Sequence, residues 1–323
     1  MGAGVGCGGG RPPGSSEGSI VQASTERDPA SSIPPPALQE AAIANNAFAL
    51  DMFARQGPTS ASSNIVTSPV SASLALTMAY AGARGQTATE MATALHFDPS
   101  AMPPIFDGQN ALDQSLEQRA STVFDTARSS AAHSMGTPAP SPSDYDLTLV
   151  NSVWGEQSLP WSQNYLSTLA INYGAGVHVV DFIDQPDQAR VAINDWVFAQ
   201  TDDKIANLLP PPSIDESTRV VLVNAVHLKF PWEIPFDASA SAPGPFTRAD
   251  GTIVTATFMN GSFGLAYVDD GQAQIAALAL ADGNGVEDNI ATYDSLTVLI
   301  ALPHADVTLA AYEAALAPTS TAV

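Results

Sequence analysis

One carboxamide, Asn224, stands inside the aliphatic run 220–228 of a chain of 323 residues. That run is β-branched or aliphatic on both alternating faces, the pattern of an interior strand covered on both sides of its sheet. A buried amide there must find several hydrogen-bond partners or cost on the order of a few kcal/mol, so its chemistry is to tie neighbouring elements together. Lys229 and Trp232 follow it directly, ahead of a Pro-rich exit at Pro231 and Pro235. A second polar set, Asn64, Ser68 and Ser71, flanks Pro69 where an extended stretch turns into a helix. These groups suit structural hydrogen bonding, and Trp232 suits packing at a sheet end.

Catalytic and metal chemistry find no footing. The histidines at 96, 133, 178, 227 and 304 share no metal-ligand spacing with one another or with Cys7, which argues against zinc. Neither a Gly-x-Ser-x-Gly elbow nor a phosphate loop is present, and no nucleophile–base constellation can be assembled, so an enzyme is not expected and no cofactor is implied. Asp282, Asn284, Glu287 and Asp288 offer oxygen ligands, but without the alternation and glycine turn of a calcium loop they read as a solvated segment. Eleven Lys and Arg against 33 Asp and Glu give a net charge of −22, which repels nucleic acid and anionic membrane surfaces.

Cys7, the single cysteine, permits no internal disulfide. Its setting, Gly4-Val5-Gly6-Cys7-Gly8-Gly9-Gly10, resembles the cleavage and lipidation site of a bacterial lipoprotein, although only six residues precede it. Either the true start lies upstream, or the resemblance is accidental. The pattern Gly4-x-Gly6-x-x-Gly9 also fits a dinucleotide fingerprint, but no strand precedes it and no helix follows.

Residues 1–36 are rich in Gly, Ser and Pro and are expected to form a disordered tether. Apolar residues at three- and four-residue spacing from Leu38 to Phe53 predict an amphipathic helix, with Asn45 as the polar member of its stripe. Residues 64–67 read as a short strand. Ser68 then acts as N-cap, with Pro69 in the first turn, for a helix over 70–83 that has no charge on any side and so should be buried all round. Thr87 and Glu90 suggest a capping box for a further helix. A modest helix over 111–128 and a loop over 129–143 come next, then strands at 147–154 and 177–182, a helix over 186–199 and the strand carrying Asn224. Strands at 252–259, 264–268, 274–280 and 296–302 precede a helical stretch over 307–316.

Several local phrases, in order, resemble the serpin family of serine-protease inhibitors. Asn64-Ile65-x-x-Ser68-Pro69-x-Ser71 resembles the opening of that family's second helix, and Ala81 to Thr87 the loop that follows it. Tyr173, Val180-Asp181-Phe182, Ile193 to Val197, Thr201-x-x-Lys204-Ile205-x-x-Leu208-Leu209, Val223-Asn224-Ala225, Lys229, Trp232 and Phe236 continue the match across roughly residues 40–303. Phe230 departs from it, standing where the family usually has Gly, as does His227, where an aromatic is favoured.

The resemblance implies an α+β fold with a large mixed central β-sheet, smaller sheets and an N-terminal helical bundle, incomplete at the C-terminus; the lipoprotein-like setting of Cys7 adds the expectation of a bacterial origin. A serpin-like domain over 37–323 would lack the reactive loop and C-terminal strands. Asn64, Ser68, Ser71 and Asn224 would be shutter residues under the sheet's middle, and Trp232 with Lys229 breach residues at its upper end. The partner implied is a serine protease, trapped when an acylated loop inserts as a new strand. Without that loop, residues 1–323 are expected to be inactive; the alternative is a non-inhibitory binding protein of the cell envelope. An extracellular or envelope location, a membrane tether through Cys7 and self-association through exposed sheet edges complete the expectations.

Overall fold

The computed structural model describes residues 19–56, 64–100, 105–133, 139–248, 250–262, 264–281 and 296–316. Two compact units divide the chain: residues 1–27 with 150–225, and residues 28–149 with 226–323. In chain order the elements are β1 (Ser19–Val21), α1 (Pro35–Gln56), α2 (Pro69–Tyr80), α3 (Gly85–Ala94), α4 (Ile105–Glu117), α5 (Arg119–His133), β2 (Asp146–Glu156), α6 (Gln163–Tyr173), β3 (Val177–Val180) and α7 (Pro186–Gln200). They continue with β4 (Val220–Lys229), β5 (Ala242–Thr247), β6 (Ile253–Phe258), β7 (Ala266–Asp269), β8 (Ala273–Ala279), β9 (Thr297–Pro303) and α8 (Leu309–Ala315).

The principal sheet has four strands in the order β1-β3-β2-β4 and is mixed, since β2 runs parallel to β3 and β1 antiparallel to it. β5 pairs with β6, and β7, β8 and β9 form an antiparallel sheet of their own. In the first unit one face of the principal sheet, through Trp154, Val180 and Val223, meets the apolar stripe Ala189, Ala192, Ile193 and Val197 of α7. Gly155 has to be glycine, because a Cβ there would lie 2.0 Å from the Trp161 ring that covers it. The second unit's helical core gathers Ala44 of α1, Ala92 of α3, Leu95 and Phe97, with Phe48, Leu76, Tyr80 and Ile105 packed against them. The uncharged α2 has no exposed residue, as its composition requires.

Several expectations are corrected. Residues 19–36 are ordered: β1 pairs with β3, a 3-10 turn follows at Ala30–Ser32, and α1 starts at Pro35. Low hydrophobicity misleads in this segment because it is held through its main chain, which composition does not report. Residues 64–67 form no strand, and Ser68 takes the N-cap position without a side-chain capping bond. α3 starts at Gly85, so Thr87 lies within it and caps nothing. Two helices, α4 and α5, occupy 105–133 where one helix and a loop were expected.

The largest correction concerns β4, which among the described residues lies at the end of its sheet rather than in its interior. Val223 and Ala225 are buried, Asn224 is half-buried, and Val220, Val226 and Leu228 are 48%, 38% and 51% exposed. β-Branched residues favour the strand whether or not anything lies over them, so an aliphatic run identifies a strand without fixing its place in the sheet.

A buried carboxylate that no sequence pattern marks closes the end of β2. Glu156, 1% exposed, accepts bonds from the main-chain N–H of Ser158 at 3.0 Å and of Phe182 at 2.8 Å. Burial pushes its pKa up, but the N–H groups of Ser158 and Phe182 outweigh that and hold it below the ordinary value of 4.5. A depressed pKa contributes stability that is complete above the unfolded value and vanishes as pH falls through the folded one. Glu156→Gln should therefore lower stability by about 1–3 kcal/mol at neutral pH. In urea titrations, the gap to the parent chain should close as pH drops below 4.5; a gap independent of pH would contradict this role.

Candidate functional site

Asn224 does what a carboxamide in a strand must do. Its Nδ2 donates to Asn151 Oδ1 of β2 at 2.6 Å, an amide-to-amide bridge across the last two strands of the sheet. Farther along the same strands, His227 Nδ1 lies 2.7 Å from Asp146 Oδ2. Lys229 Nζ donates to Ser143 O and lies 3.4 Å from the Asp144 carboxylate. β4 is therefore fastened to β2 and to the turn before it by side chains as well as by the backbone ladder. Phe230, the residue standing in place of the family's glycine, packs edge-on against Tyr145 with ring centroids 5.8 Å apart, and Tyr145 in turn touches Phe124 of α5. Burial, followed by the charges of Asp144 and Glu233, raises the Tyr145 pKa.

Trp232 is half-buried at the exit from β4, bridged to Leu280 just past β8 and set edge-on against Phe236 at 5.7 Å. Glu233 N donates to Ala279 O at 3.0 Å and Ala281 N to Pro231 O at 2.9 Å, so the turn 231–233 is stitched to the end of β8.

The four expected shutter residues fall in different units: Asn224 in the first, Asn64, Ser68 and Ser71 in the second. Ser71 is completely buried on α2, and on another side of the same helix Thr77 Oγ1 donates to Ser73 O at 2.6 Å. Ser68 is half-buried and Asn64 exposed. Cys7 and the oxygen-bearing residues Asp282, Asn284, Glu287 and Asp288 lie outside the described residues. Among the described residues no group of three or more His, Cys, Asp or Glu is placed to hold a metal ion.

Asn194 is a working residue that the sequence patterns do not single out. On α7 its Nδ2 donates to Leu209 O and its Oδ1 accepts from Leu209 N, both at 2.9 Å, a two-way bracket on the segment after the helix. Thr201 Oγ1, accepting from Ile205 N at 3.2 Å, fixes the intervening turn. Arg190, one turn before Asn194 on the same face of α7, donates from Nη1 to the same Leu209 O at 3.1 Å. His178, a candidate metal ligand by residue type, stacks on Trp154 at 4.4 Å and meets Trp196 edge-on at 5.5 Å.

A family model described as "Serpin (serine protease inhibitor)" matches residues 43–322. Human plasminogen activator inhibitor 2 is 32% identical over 264 residues, covering 76% of this chain and 62% of the relative. Bovine leukocyte elastase inhibitor is 31% identical over 243 residues, covering 75% and 58%. Among solved structures, emu ovalbumin superposes with a TM-score of 0.61 at 28% identity, covering 85% of this chain and 66% of that one. A tumour-suppressing serpin gives 0.66 at 23% identity, covering 87% and 67%. The chain belongs to the serpin family. It spans less than two thirds of the length of these curated relatives, which are mammalian and lend no support to the bacterial source that the Cys7 motif suggested.

If the Asn224–Asn151 bridge holds β4, Asn224→Ala and Asn151→Ala should each destabilise the chain. Their double variant should cost less than the sum, with a coupling of about 0.5–1.5 kcal/mol. Strict additivity in a denaturation cycle would show that the bridge contributes nothing.

Proposed function

We propose that this chain supplies the scaffold of a serine-protease inhibitor. The observation that carries this is the family match over 43–322, supported by relatives whose names are those of protease inhibitors. The proposed action is mechanical: a protease acylates an exposed loop, and the loop then inserts as a strand of the principal sheet. β4 is where such a strand would be received, since it ends the sheet and is held from the β2 side. Glu313-Ala314-Ala315, small residues of the kind a hinge uses, lie on α8, which supports reading them as ordinary helix.

The test is incubation with trypsin-, chymotrypsin- and subtilisin-like proteases, followed by denaturing electrophoresis. Residues 1–323 by themselves should yield no SDS-stable adduct, whereas a product of the same reading frame extended by an Ala/Thr-rich hinge should yield one. An adduct from residues 1–323 alone would refute the assignment of the bait. No adduct from an extended product would favour the second reading, a non-inhibitory binding protein of the cell envelope.

That second reading draws on the Cys7 motif, which would place the protein at a membrane outside the cytoplasm. Lipid labelling of the parent chain that vanishes in Cys7→Ser would support the tether, and equal labelling of the two would exclude it. Self-association belongs to the same proposal. β4 ends one sheet, and β7 and β9 end another in which Tyr267, Val268, Leu299, Ile300 and Leu302 are at least half exposed. Light scattering should show oligomers that Leu299→Lys with Leu302→Lys reduces; a monodisperse monomer would contradict this.

A further inference from the structure

The segment before α1, 19–33, is fixed in two places, each within one unit. In the first unit β1 lies against β3 in the register Ser19↔Val179, Ile20↔His178, Val21↔Val177. Gly176 makes room for it, since a Cβ there would sit 2.7 Å from Val21 O and 2.9 Å from Ile20 Cγ2. In the second unit Asn110 and Gln114, one turn apart on α4, share a helix face. Asn110 Nδ2 and Gln114 Nε2 both donate to Asp28 O, at 2.9 and 2.8 Å, while Gln114 Oε1 accepts from Ala30 N at 3.0 Å. Gln114 Nε2 also donates to Asn110 Oδ1 at 2.6 Å, which locks the two amides together. Asn110 is 0% and Gln114 9% exposed.

These three bonds to the segment all go to its main chain. The Asp28 side chain stays exposed, and what is read is one C=O and, two residues on, one N–H, as a neighbouring strand would read them. We propose that Asn110 and Gln114 form a clip for extended polypeptide backbone, occupied in cis by Asp28 to Ala30, which makes residues 19–30 a releasable strap. A three-residue ladder is marginal by itself, and so is a three-bond clip. What keeps both occupied is the covalent connection, which supplies a local concentration on the order of millimolar. Because recognition stops at the backbone, a clip vacated by its own strap takes the same segment of a second copy.

The test uses the full chain carrying Ala30→Pro and a fluorescein-labelled synthetic peptide of residues 24–34. Proline removes the N–H that Gln114 accepts and leaves the clip untouched; it suits the first position of the 3-10 turn, and Pro29 before it already has extended ψ. Fluorescence anisotropy should show saturable binding to the Ala30→Pro chain and at least about tenfold weaker binding to the parent, whose own strap competes. Adding Gln114→Ala to the Ala30→Pro chain should abolish binding, and adding Gln114→Glu, which keeps the acceptor and loses the donor, should weaken it. A peptide with Asp28→Asn should bind as well as the original. Trypsin should also cut after Arg27 faster in the Ala30→Pro chain. Equal peptide binding to the parent and Ala30→Pro chains would overturn the proposal, as would no binding to an Ala30→Pro chain whose circular dichroism matches the parent.

Discussion

A strand at the end of a sheet has a backbone ladder on one side only, and the arrangement of this protein turns on how β4 meets that constraint. Its inner edge faces β2, and two side-chain bridges, Asn224 to Asn151 and His227 to Asp146, reinforce the ladder. Lys229 adds a hold on the turn before β2. β2 is itself steadied by Glu156, whose buried carboxylate accepts from the main-chain N–H groups of Ser158 and of Phe182, the second of which burial would otherwise leave without a partner. Polar side chains therefore do along β4 what a second neighbouring strand would do through its backbone.

Element types are legible because hydrophobic period and turn chemistry are local. The stripe of α1, the uncharged α2 and the apolar face of α7 each declare a helix, and β2, β3, β6, β8 and β9 come within a few residues of their observed bounds. β5 escapes because Ala242-Pro243-Gly244-Pro245 reads as a turn. Its pairing with β6 is imposed by the antiparallel partner rather than by its own propensity. The family is legible too, because its phrases are spread in order over most of the chain.

Place and partner are harder to read. An aliphatic run cannot say whether its strand is flanked on one edge or two, and for that reason β4 reads as an interior strand. Asn224 declares itself as a strand-to-strand anchor, yet its partner, Asn151, lies 73 residues away and carries no local mark. The strap before α1 is hidden on the same principle. Composition measures what side chains can bury, and this segment is recognised through its carbonyl and amide groups, by amides more than eighty residues distant.

Amide hydrogen exchange over 220–229 at high dilution tests most directly whether β4 is held from one side. Successive N–H groups of a strand point to opposite edges, so a strand paired with β2 alone should alternate along its length between slow and fast exchange. Uniform slow exchange at every position would mean that both edges are paired, and would contradict a β4 fastened only to β2.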